Sequence, residues 1–163
     1  MTYLITFACY GNHLPGAEGW VDRLRGNCQR GGTQAAYSPL EAHARTIMRQ
    51  APQTLTQQDA QLTLAAIHEV CQTRNWHLLA AHIRTTHAHL IADGIQNPTR
   101  AMGEFKAYAT RSLRQTNQTP NRLYWARGGF IQWLRTTEAR RNATHYVLHN
   151  QGEPMAIYKS SHI

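Results

Sequence analysis

The sequence predicts an α+β domain of the ferredoxin-like, split β-α-β kind with an antiparallel sheet. Two observations predict it. The segments read in the order strand, long loop, helix, strand, strand, helix, then a strand or loop, then a further helix. The chain has 163 residues and 42% hydrophobic content, which suits one domain with its own core. No repeat or low-complexity segment divides it. The expected organisation is a single domain over 1–163, with 11–52 as a loop insertion and a C-terminal helix added.

Each element has a local reason. Tyr3 to Tyr10 is rich in β-branched and aromatic residues and is bounded by Gly11-Asn12, which predicts a strand. Gly11 to Pro52 starts irregularly, with six glycines by residue 32 and Pro15. So long a loop in a small domain is usually functional. Leu40 to Gln50 is a short candidate helix. Thr56 to Arg74 is a helix, with Thr56 as N-cap and Asp59 in the first turn. Leu62, Ala66, Ile67, Val70 and Cys71 repeat at helical spacing within it. Trp76 to Ile83 and His87 to Ala92 read as strands. Asn97-Pro98 opens the next helix as N-cap and first residue, with Met102, Phe105, Ala109 and Leu113 as its apolar stripe. Tyr124 to Trp133 mixes aromatics with Gly128-Gly129 and leads into, or holds, a short strand. Thr136 can cap the last helix, and Gly152 can end it near Asn150.

Composition narrows the partners. The net charge is +8 with His neutral, and 15 of the 17 basic residues are Arg. Arg grips phosphate bidentately and stacks on bases, so this bias points to nucleic acid. The excess is local: Arg100 to Arg141 carries a net +7, while the first 99 residues carry +1. No apolar run approaches the ~20 residues of a membrane helix. The N-terminal segment lacks a basic region and a cleavage site, so no signal peptide is expected. Cys9, Cys28 and Cys71 are widely spaced and match neither a disulfide framework nor a thiolate zinc motif, as suits a reducing cytosol. The expected location is the cytoplasm of a bacterium, at the nucleoid through DNA binding.

The segment Thr86 to Gly94 reads THAHLIADG. In a strand, His87 and His89 share a face and lie roughly 7 Å apart. Ala88, Leu90 and Ala92 then face the core. Two imidazoles on one face can share a divalent metal. If Thr85-Thr86 is a two-residue turn, His82 pairs opposite His89 on that face. Such a metal wants a further ligand, a carboxylate, an amide or another His. Tyr146 and Asn150 sit one helical turn apart, and Gln151 follows.

The ordered set HAHLIADG, FKAYATRSLR (Phe105 to Arg114), YWARGGFIQWL (Tyr124 to Leu134) and YVLHNQGEPMAIY (Tyr146 to Tyr158) resembles the single-tyrosine HUH transposases of the insertion-sequence type, and particularly their REP-associated relatives. The opening TFACYGNHLPGAEGWVDR (Thr6 to Arg23) is similar to one branch of that family. The resemblance runs from Tyr3 to Tyr158 and implies the same ferredoxin-like fold. It implies that His87 and His89 bind Mg²⁺ or Mn²⁺ and that Tyr146 is the nucleophile. Ala88 stands where the family usually has a bulkier hydrophobe. The family's further ligand is an amide about one turn after the tyrosine. Asn150 fits that spacing and Gln151 fits the residue type of some members.

The implied activity is that of a metal-dependent single-stranded DNA endonuclease and strand-transferase. Tyr146 attacks the scissile phosphorus, forming a 5′-phosphotyrosine and freeing a 3′-OH. The phosphotyrosine conserves the bond energy, and no Gly-x-x-x-x-Gly-Lys-Ser/Thr motif is present. Tyr108 is the rival nucleophile, on the rim of its helix about 100° from the apolar stripe's centre, with Ser112 one turn on. Lys106, Arg111, Arg114, Arg122, Arg127, Arg135, Arg140 and Arg141 can track a phosphate backbone. Trp125, Phe130, Trp133 and Tyr108 lie among them and can stack on unpaired bases. Arg23, Arg25 and Arg30 in the early loop offer a second DNA contact. The family recognises hairpin DNA, and its members are monomers or homodimers. Two other readings remain at this level: a nucleic-acid-binding module that has lost the chemistry, and a His-site metal hydrolase acting through activated water.

Overall fold

The computed structural model describes residues 1–12, 14–17 and 37–161. Five strands form one antiparallel sheet in the order β4-β1-β3-β2-β5. They are β1 (Tyr3–Ala8), β2 (His77–Ile83), β3 (His87–Asp93), β4 (Phe130–Trp133) and β5 (Ala156–Lys159). Helices α1 (Ser38–Thr46), α2 (Gln57–Arg74), α3 (Pro98–Asn117) and α4 (Thr137–His149) complete the fold. The run β1-α2-β2-β3-α3-β4 is the ferredoxin-like order expected from the sequence. Strand β5 joins the sheet beyond β2 after α4 and was not anticipated. It has only four residues, and Gln151 to Pro154 before it read as loop, so neither length nor periodicity marks it.

The helix ends follow the predicted signals. The Thr56 side chain accepts from the Asp59 amide, and the Asp59 carboxylate accepts from the Thr56 amide, a full capping box. Asn97 accepts from the Arg100 amide with Pro98 behind it, and Thr136 accepts from the Ala139 amide. Each cap satisfies an amide that the first turn leaves without an intrahelical partner.

The sheet has two unlike faces. On one, Ile5, Phe7, Ala88, Leu90 and Ala92 pack with α2 and α3 through Ile67, Val70, Phe105 and Leu113. On the other, Leu4, Ala80 and Ile91 pack with Leu134, Val147 and Leu148 of the α4 region. The β2–β3 register breaks between Leu78 and Ala80. The extra residue, Leu79, shifts the alternation by one, so Leu78 faces α2 and α3 while Ala80 and His82 face α4. That bulge therefore puts His82 on the α4 side.

Candidate active site

Residue pairing across the sheet places a row of side chains on the α4 face. Phe130 pairs with Thr6, Thr6 with His89, His89 with His82, and His82 with Ile157. The His82–His89 pairing agrees with the sequence reading. The amide of Arg84 donates to the carbonyl of His87, which closes a two-residue turn at Thr85-Thr86. His87 lies on the same face, its ring centroid 4.8 Å from that of His89.

The two imidazoles differ in surroundings. His89 is buried, and Thr6 Oγ1 lies 2.9 Å from its Nδ1. Its Nε2 is buried with no hydrogen-bond partner among the described residues. Burial, then His87, His82 and Arg84, push its pKa down to about 3, so the ring is neutral. In the tautomer whose Nδ1–H donates to Thr6 Oγ1, the Nε2 lone pair is left unpaired, the arrangement that suits a metal-binding imidazole. His87 is half-buried, with Thr86 Oγ1 at 3.0 Å from its Nδ1. His82 is fully buried, its Nδ1 2.9 Å from the carbonyl oxygen of Val147. That oxygen is in the last turn of α4, where carbonyls lack intrahelical partners. Burial lowers the His82 pKa, the Val147 bond opposes this, and Arg84 adds to it.

Helix α4 presents Tyr146 to this centre. Its ring is 45% exposed and lies 6.2 Å, centroid to centroid, from His89. Asn150 is exposed and ends the helix through its amide, which donates to the Tyr146 carbonyl. Gln151 is buried, and its Nε2 lies 3.4 Å from the same carbonyl. Among the described residues no cluster of three or more His, Cys, Asp or Glu is placed to hold a metal ion. Tyr108 lies on the other side of the sheet, half-buried against the α2–α3 core with the Arg111 guanidinium 4.4 Å from its ring.

The basic residues do not form one track. Lys106, Arg111, Arg114 and Arg127 line a groove of about 790 Å³ along α3, with Trp125. Arg140 and Arg141 line another, of about 860 Å³, with His68, His145 and His149. Several cations are also engaged within the fold. Arg122 donates to Gln53 and to the carbonyls of Ala51 and Pro52, and Arg114 donates to the Arg122 carbonyl. Lys106 donates to the carbonyls of Ala126 and Gly128. Arg135 covers the Trp133 ring at 4.3 Å. Trp125 packs edge-on against Phe7 at 4.9 Å. Arg23, Arg25 and Arg30 lie outside the described residues. Sequence reasoning missed the roles of Thr6 and Arg84. Thr6 shows only through cross-strand pairing, and Arg84 only through its place beside the hairpin.

Fold and site together define a class: a ferredoxin-like domain with a histidine pair on one sheet face and a tyrosine from an added helix above it. The chain belongs to the IS200-like transposase family, whose profile matches residues 36–150. Among solved structures it is similar to a REP-associated tyrosine transposase bound to a REP hairpin, with TM-score 0.50 and 15% identity over 91% of this chain. The chain spans 65% of that protein's length. It is also similar to a candidate transposase from Deinococcus radiodurans R1, with TM-score 0.47 and 9% identity, covering 90% of this chain and 88% of that one. A comparison with curated proteins finds no significant match. Among the described residues no helix is long and apolar enough to cross a membrane.

Proposed function

We propose that this chain is a transposase that cuts and rejoins single-stranded DNA through a 5′-phosphotyrosine formed on Tyr146, and that it works on DNA in the cytoplasm. The observation that carries the reading is the edge-on placement of Tyr146, 6.2 Å from a neutral, buried His89 whose Nε2 has no partner among the described residues. A buried polar nitrogen left bare is costly unless something fills it. His87 and His89, with an amide from Gln151 or Asn150, suit a divalent cation of the Mg²⁺ or Mn²⁺ kind. Burial beside Tyr146 favours Gln151. Bound there, the cation supplies positive charge to the phosphate oxygens as charge builds on them.

The protein's own residues do the rest. Thr6 fixes the His89 ring, and His82 ties the last turn of α4 to β2, so the tyrosine is held over the histidines. The Tyr146 phenol oxygen attacks phosphorus. A P–O bond to tyrosine forms as the P–O3′ bond breaks. The phenol loses its proton, and the departing 3′ oxygen gains one. Attack by a 3′-OH on the phosphotyrosine reverses the exchange and joins strands. Tyr108 is a poor nucleophile for this site because the sheet separates it from the histidines. The neighbouring REP transposase holds a hairpin, which supports hairpin DNA as the substrate here.

The test is incubation with labelled single-stranded hairpin DNA and Mn²⁺, followed by a denaturing gel. A covalent adduct lost with Tyr146→Phe and with EDTA is expected. Cleavage without an adduct would instead indicate attack by water, and binding without cleavage would indicate a module that only binds DNA.

A further inference from the structure

Among the described residues, the α4 face of the sheet is only half covered. Helix α4 packs on β2 and β3, while Phe130 and Gln132 on β4 stay exposed on that face. Phe130 is 41% exposed and stands in the same cross-strand row as Thr6 and His89. Two strand spacings put its backbone about 10 Å from that of His89. A phosphate at the histidines and a base on Phe130 are thus within the reach of one or two nucleotides.

The other aromatics of the basic segment are placed differently. Tyr124 is buried, and its hydroxyl meets Thr119 and Asn117. Trp125 packs on Phe7. Trp133 pairs with Tyr3 on the opposite face, stacked on that ring under Arg135. Phe130 is the one that shares the face of the catalytic row.

We infer that Phe130 is the stacking platform for an unpaired nucleobase of the DNA strand whose phosphate lies at His87 and His89, a role that rests on the function proposed above. Every base has a π-face, so the platform accepts any base and sets position more than sequence. Gln132, two residues on and on the same face, is exposed beside it and can meet the edge of a base.

The test measures binding, not cleavage, and uses the full chain carrying Tyr146→Phe, without metal. A fluorescent single strand is titrated at fixed salt. Adding Phe130→Ala should weaken binding about 5- to 100-fold, and Phe130→Trp should restore it. A scan of abasic positions should find one nucleotide whose base costs the parent a similar factor and costs the Phe130→Ala protein nothing further. Losses that add at every abasic position, or unchanged binding by Phe130→Ala, would overturn the platform alone. Failure of the parent to bind any single strand would overturn the DNA-processing reading with it.

Discussion

Replacing His82 separates the stability of the fold from the positioning of the tyrosine. In His82→Leu the Nδ1 donor, 2.9 Å from the Val147 carbonyl, is lost. A buried helix-end carbonyl left without a donor costs about 1–3 kcal/mol. The same change removes the His82 Nε2, which is itself buried without a partner among the described residues, and that gain is of similar size. Leucine roughly fills the imidazole's space, so the cavity contribution is small. Net stability should therefore stay within about 1 kcal/mol of the parent, measured by urea unfolding. The rate should not. Freed from β2, the last turn of α4 lets Tyr146 drift from His89, and a displacement of ~1 Å can cost about 10²-fold. His82→Asn keeps a donor close to the place of Nδ1 and should hold the rate within a few-fold. The assay is single-turnover adduct formation with Mn²⁺ and saturating DNA, beside DNA binding, which should not change. A parental rate for His82→Leu, or equal losses in both variants, would refute the positioning role.

Other consequences follow from the same contacts. Thr6→Val removes the group that fixes His89 Nδ1 and should weaken Mn²⁺ binding about 10- to 100-fold by titration calorimetry. An unchanged affinity would remove Thr6 from the site. Gly129→Ala places a Cβ 2.6 Å from the Thr6 carbonyl oxygen and against the Met102 sulfur. It should destabilise the protein by about 1–3 kcal/mol in denaturant unfolding, and parental stability would show that β4 can move off β1. Burial pushes the Cys9 and Cys71 thiols up to about 12, so few are thiolates at pH 8. Both should resist alkylation in the native protein and react on unfolding, as read by mass spectrometry. Rapid native labelling of either would contradict their placement in the core.

The sequence revealed most of what local chemistry dictates. The capping residues Thr56, Asn97 and Thr136 and the stripe on α3 announce themselves through periodicity and hydrogen-bonding type, and all act as expected. The His-x-His strand was legible because alternation fixes which side chains share a face. What depends on distant pairing was not legible. Thr6 is 83 residues from His89 and meets it only because β1 and β3 are neighbours. Strand β5 is defined by the β2 edge it covers, not by its own pattern. The basic stretch looked continuous along the chain, yet α3 and α4 lie on opposite faces of the sheet and divide it between two grooves. That same division separates Tyr108 from the histidines, in line with the preference for Tyr146 that helical spacing and the amide one turn on already suggested.

The central claim is that Tyr146 becomes covalently joined to DNA at the histidine face. Protein incubated with single-stranded hairpin DNA and Mn²⁺, then digested and sequenced by mass spectrometry, should carry a phosphonucleotide on the Tyr146 peptide. A modified Tyr108 peptide, or cleaved DNA with every tyrosine unmodified, would contradict it.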